Sequence, residues 1–135
     1  TQTNNTVQLS SQPTKVEFEV VYDLKDLNKS MAAAQQQKLP VMVDFYADWC
    51  ISCKVMENQV FPLPEIRSKL DQFHLVKADV TENSKSNQAL LNHFGLFGPP
   101  SFLFFDAQGK EITELRVVGE INKEGFNNRL AKVLK

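Results

Sequence analysis

Cys50 and Cys53 are the only cysteines in the chain, and they follow closely on an apolar run, Val41-Met42-Val43-Asp44-Phe45-Tyr46-Ala47. No other feature constrains the fold as tightly. The run reads as a strand buried on both faces, and the residues from Cys50 onward carry a helix-like pattern. Positions i and i+3 of a helix stand roughly 5 Å apart, within the range a disulfide bridges. A strand that delivers two cysteines to the start of a helix is a redox device that can open and close locally.

At 135 residues the chain has the length of one domain and can bury a core without disulfide staples. Two cysteines in one short motif suit catalysis better than a structural framework. A formal charge of −1 gives no electrostatic reason to expect nucleic acid or an anionic membrane as partner. No apolar stretch approaches the roughly 18 residues of a membrane span, and no basic, apolar, then small-residue leader pattern is present. Residues 1–15 are expected to be a polar tail or interdomain linker, as in a domain excised from a larger protein, and residues 16–135 the folded domain.

Along the chain, Val16 to Val21 alternates as an outer strand, and Asp23 is placed to cap a helix carrying Leu24, Leu27 and Met31. Pro40 ends that helix before the central strand, residues 41–47. A helix follows from Cys50 with Val55, Met56 and Val60 facing the core, until Pro62 and Pro64 interrupt it; Pro64 suits the first turn of a short helix with Ile66 and Leu70. Residues 73–80 read as a strand and 84–94 as a helix. The loop Gly95 to Pro100 leads into the apolar strand Ser101 to Phe105, whose phenylalanines are core. A turn over 106–110 returns the chain as a strand from Glu111 to Val118, giving an antiparallel hairpin, and Asn122 caps a last helix with Phe126, Leu130, Val133 and Leu134. The expected fold class is α/β: a central mixed sheet flanked by helices, with the CxxC motif at the start of the helix after the central strand.

A helix N-terminus stabilises thiolate through unpaired backbone N–H groups and the positive end of the helix dipole. Cys50 holds that position and is expected to be the exposed nucleophile, forming a mixed disulfide that Cys53 resolves by attacking the Cys50 sulfur. Two carboxylates are placed to manage protons. Glu57 lies one helical turn beyond Cys53, and Asp44 sits in the apolar strand, where burial raises its pKa and keeps it protonated near neutrality. Both oppose the dipole, so the resting dithiol is restrained. Ile51-Ser52 brings neither cation nor proline, which favours a reductant or electron relay over a strong oxidant.

Val43-Asp44-Phe45-Tyr46-Ala47-Asp48-Trp49-Cys50-Ile51-Ser52-Cys53-Lys54, with Glu57 and the later Gly98-Pro99-Pro100-Ser101-Phe102-Leu103-Phe104-Phe105-Asp106, resembles the thioredoxin superfamily. More narrowly, these residues resemble the C-terminal periplasmic domain of the DsbD family of transmembrane thiol:disulfide interchange proteins, from about Val16 to Val133. The resemblance implies a thioredoxin fold and protein-disulfide reductase activity with no cofactor beyond the Cys50–Cys53 pair. It also implies that Pro100 is a cis-proline beside the dithiol and that Trp49, Pro99 and Pro100 help to present the substrate-binding edge. Pro99 has no N–H to offer there. The implied role is a relay in the bacterial periplasm, anchored at the inner membrane. Electrons arrive from a membrane-embedded domain and pass to an N-terminal periplasmic domain of the same protein, then to disulfide isomerases and cytochrome c maturation.

Plainer readings stand beside these. The cysteines could form a permanent bridge or half of a zinc site, though His74 and His93 show no ligand spacing, so no metal is expected. Asp44 could be a satisfied buried carboxyl, Glu57 a solvated helix residue, Trp49 core packing, and Pro99-Pro100 a rigid turn. A stand-alone thioredoxin-like reductase is one alternative function, and a redox-inert binding or chaperone module on the same fold is another.

Overall fold

The computed structural model describes residues 16–135; the tail expected over 1–15 lies outside them. The elements run β1 (Glu19–Val21), α1 (Leu24–Gln36), β2 (Val41–Tyr46), α2 (Ile51–Val55), α3 (Pro64–Leu70), β3 (His74–Asp79), α4 (Lys85–His93), β4 (Ser101–Phe105), β5 (Val117–Val118) and α5 (Lys123–Leu134). A π-helical turn (Met56–Val60) continues α2. The strands form one sheet in the order β1-β3-β2-β4-β5. β1 and β2 both run parallel to β3, while β4 pairs antiparallel with β2 and with β5. This is the mixed sheet expected from the order of elements, with β2 at its centre and all six of its residues buried.

Alternation along β2 divides the core in two. Val41, Val43 and Phe45 join Leu27 and Ala34 of α1 and Leu90 and Leu91 of α4 on one face. Met42 joins Ile66 and Leu70 of α3 and Phe126 and Leu130 of α5 on the other, and by the same period Asp44 points to that second face. Each fully buried Phe or Leu there contributes about 1.5–3 kcal/mol of transfer free energy. Helix starts follow their caps. Asp23 accepts the Asp26 N–H at 2.8 Å, Ser84 and Asn87 form a reciprocal capping box, and Asn122 accepts the Gly125 N–H at 2.8 Å. Pro64 opens α3, where its missing N–H costs nothing.

Three local expectations are corrected. The outer strand is shorter than 16–21, because its ladder to β3 begins at Glu19 opposite Val76. Upstream, Phe18 stacks on Phe61 with ring centroids 5.6 Å apart, so packing rather than pairing holds that segment. Val55 does not face the core but is 41% exposed, whereas Met56 and Val60 are buried. Cys53, Met56 and Val60 share one helical face at i, i+3 and i+7, which leaves Val55 off it; the π turn, with Phe61 N–H bonded to Met56 O, begins only after Val55. The strand expected from Glu111 to Val118 is broken. Glu111 bridges Phe105 and Val117 pairs with Phe102, so six steps on one strand face three on the other, and a 3-10 turn (Thr113–Leu115) absorbs the excess while Leu115 enters the core.

Candidate active site

β2 ends at Tyr46, and the chain reaches Cys50 through a turn in which Cys50 N–H bonds to Ala47 O at 3.0 Å. This turn is pinned to the loop after β3. Asp48 N–H donates to Thr81 Oγ1 at 2.8 Å, Trp49 Nε1 donates to Thr81 O at 3.1 Å, and Thr81 is itself held by Asp79. Cys50 caps α2, its sulfur accepting the Cys53 N–H at 3.2 Å, and the two cysteines form a disulfide with Cα atoms 5.3 Å apart. The N–H that the helix leaves unpaired at its start is thus aimed at the sulfur that must carry negative charge.

The expected exposure of Cys50 is corrected: it is 6% exposed and Cys53 3%. Both pack into the first core cluster, while their apolar neighbours Trp49 and Ile51 are exposed, at 61% and 80%. Cys53 Sγ lies 3.8 Å from Phe45 O.

A cluster of charge gathers around Asp44 of β2. Asp44 is buried, and burial together with the neighbouring Glu57 carboxylate pushes its pKa up to about 7, against the opposing pull of Lys77. Lys77 faces Asp44 across the β2–β3 register and pairs with Glu57 at 2.5 Å. Its ammonium also lies 4.3 Å from the centre of the Tyr46 ring and 5.7 Å from that of Phe18. On the other side of Tyr46, Lys54 donates to the phenolic oxygen at 2.7 Å and the phenol donates to Asp48 at 2.8 Å. Burial raises the Tyr46 pKa, and the hydrogen bond to Tyr46 raises that of Lys54.

The loop after α4 completes the site. The Pro99–Pro100 peptide bond is cis, and Pro100 lines one groove with Ile51 and Ser52. Asp44 and Glu57, read from spacing alone, are thus brought into one electrostatic cluster. Lys77, Tyr46 and Thr81 escaped the sequence reading. The alternation of 73–80 places Lys77 on the same strand face as Leu75, but only the register sets it opposite Asp44. His74 and His93 stand apart from the motif. His74 bonds Ser30 at 2.8 Å and Glu19 at 3.2 Å, and His93 meets Phe94 edge-on. Among the described residues no three His, Cys, Asp or Glu gather as a metal-binding group, and no helix is long and apolar enough to cross a membrane.

A family model described as thioredoxin-like matches residues 22–107. The chain is 44% identical over 106 residues to the thiol:disulfide interchange protein DsbD 1 of Pseudomonas aeruginosa, covering 78% of this chain and 18% of that protein. It is 41% identical over 124 residues to the DsbD of Tatumella citrea, covering 92% of this chain and 21% of the relative. The chain therefore spans about a fifth of the length of these curated relatives. Among solved structures, the DsbD C-terminal domain of Neisseria meningitidis in its reduced form superposes with a TM-score of 0.70 at 34% identity, covering 82% of this chain and 96% of that one. A thioredoxin from Thermus thermophilus, at 23% identity and a TM-score of 0.69, shares the fold.

Proposed function

The chain belongs to the thioredoxin-like family, as a DsbD C-terminal-type thiol:disulfide interchange domain with Cys50–Cys53 as its redox pair, and from that premise we propose that it works as a reductive relay. Cys50 thiolate attacks a partner disulfide, forming a Cys50–partner bond and releasing one partner sulfur as thiolate. Cys53 thiolate then attacks Cys50 Sγ, which closes the Cys50–Cys53 bond and frees the second partner sulfur. The partner gains two electrons and, on protonation, two hydrogens; the domain loses them and returns to the disulfide state.

One observation carries this reading: the bridged pair caps the helix that follows β2, the strand that holds Asp44, a buried carboxyl whose pKa is raised to about 7. Cys53 is the more buried cysteine and needs a base, a role this reading assigns to Asp44. Once ionised, Asp44 disfavours a second negative charge on either sulfur. Glu57 acts on the same balance, because its charge helps to keep the proton on Asp44. Trp49 and the Pro99-Pro100 loop form the edge on which the partner docks. By likeness to the DsbD relatives, the electrons come from a membrane-embedded domain of a longer protein. They leave to a periplasmic acceptor domain and from there serve disulfide isomerisation and cytochrome c maturation.

A redox titration tests the reading. One dithiol should oxidise and reduce reversibly at a reducing potential, below those of strongly oxidising dithiol proteins. A bridge that resists reduction until the domain unfolds would contradict it. Cys53→Ala should trap a stable mixed disulfide through Cys50, whereas Cys50→Ala should trap none, and equal trapping by both would refute the order of attack.

A further inference from the structure

Beside the disulfide a groove of about 200 Å³ runs between the α2 start and the turn before α5, lined by Ile51, Ser52, Met56, Pro100, Phe102 and Glu120 among others. Its side chains are apolar apart from Ser52 and Glu120. Glu120 is the single charged residue in it, and its carboxylate accepts a hydrogen bond from Ser52 Oγ at 2.5 Å. Ser52 stands between the two cysteines, so that bond ties the reacting motif to the far wall of the groove.

Two further observations make this carboxylate more than a surface charge. The backbone of the loop beside the dithiol offers an incoming chain little beyond Pro99 O, because Pro99 and Pro100 have no N–H, Pro100 O is taken by Gly119 N–H at 2.9 Å, and Gly98 O by Ser101 Oγ at 3.0 Å. Recognition there must lean on side chains. The charges that flank the motif in sequence offset each other: Asp48 and Lys54 lie 3.9 Å apart and share the Tyr46 hydroxyl. Within the groove lining, the charge is that of Glu120.

We propose that Glu120 is the specificity-determining residue of this groove, selecting partner segments that carry a lysine or arginine with an apolar neighbour beside their disulfide. The proposal rests on the thiol-exchange reading above and names the chemistry of its partner. The partner's cation replaces the Ser52 hydroxyl on the carboxylate, and the apolar neighbour fills the groove against Met56 and Phe102. An acidic segment meets repulsion and no backbone donor to offset it.

The test uses three peptides that differ in one residue beside a single cysteine, lysine, glutamine or glutamate, each cysteine carried as a mixed disulfide with an uncharged small thiol. At low salt the reduced domain should act on them in the order Lys, Gln, Glu, with about three- to fivefold between the extremes. The spread should shrink at about 0.5 M salt, where screening acts within a few ångströms. Glu120→Gln should flatten the order and Glu120→Lys should invert it. An order that persists in all three proteins, or no order in the wild type, overturns the proposal. A wild type that reduces none of the peptides overturns the thiol-exchange reading itself, and this inference with it.

Discussion

Two of the acid–base clusters among the described residues are built to opposite ends. At Glu111 and Arg116 the charges balance: the guanidinium donates to both carboxylate oxygens, at 2.6 and 3.0 Å, and to Phe94 O at 2.8 Å. The fork fits its partners, and its hydrogen bonds to Glu111 raise the Arg116 pKa. At Asp44, Glu57 and Lys77 two carboxyls share one ammonium, which is engaged by Glu57. Asp44 is left under-compensated in the sheet, with a pKa of about 7. The balanced pair ties the irregular return of the chain to the loop after α4; the unbalanced trio leaves a proton to move. Deep burial without a matched counter-charge separates a working group from a fastener.

The largest expected effect breaks the trio at its centre. Below pH 3.8 Asp44 is protonated in both the folded and unfolded chain; between 3.8 and about 7 only the unfolded chain ionises, so stability falls as pH rises, and above about 7 the cost is complete. Asp44→Asn should abolish that decline, leaving the oxidised variant more stable than the wild type at pH 8 by about 4 kcal/mol relative to their difference at pH 3. Urea unfolding at the two pH values measures it, and parallel curves for the two proteins would contradict the assignment.

Breaking the balanced pair should do the reverse. Arg116→Ala leaves a part-buried Glu111 without its partner and should cost about 1–3 kcal/mol in urea unfolding. The pH dependence of Cys50 alkylation should stay where it was. A shifted alkylation profile would show that the two clusters are coupled after all.

Smaller effects sharpen the account of the trio. Lys77→Met removes the one cation that lowers the Asp44 pKa and should move its titration up, while Glu57→Gln removes a charge that raises it and should move it down, each by roughly one pH unit or less. Shifts in the same direction would mean that packing, rather than charge, controls the carboxyl.

Much of this was legible in the sequence where one strand or helix carried the whole signal. The buried central strand, the cysteines at its exit, the capping residues and the anomaly of Asp44 depend on periodicity and local chemistry, which the chain displays directly. What escaped depends on register or on distant segments. Lys77 reads as an ordinary strand lysine until Val41 is set against His74. Glu120 reads as a loop acid until the turn before α5 meets Ser52. The break in the strand after Glu111 follows from Leu115 finding the core and Arg116 finding Glu111, neither visible in alternation alone. The π turn over Met56–Val60 escaped because a helical period and its one-residue expansion look alike over so short a stretch.

The pH dependence of Cys50 alkylation in the reduced protein, compared between wild type and Asp44→Asn, tests the central claim most directly. If an ionised Asp44 restrains the dithiol, the asparagine variant should react with a midpoint lower by about one pH unit or more. Superimposable profiles would show that the buried carboxyl does not govern the thiol, and the account of a charge-restrained dithiol would fail.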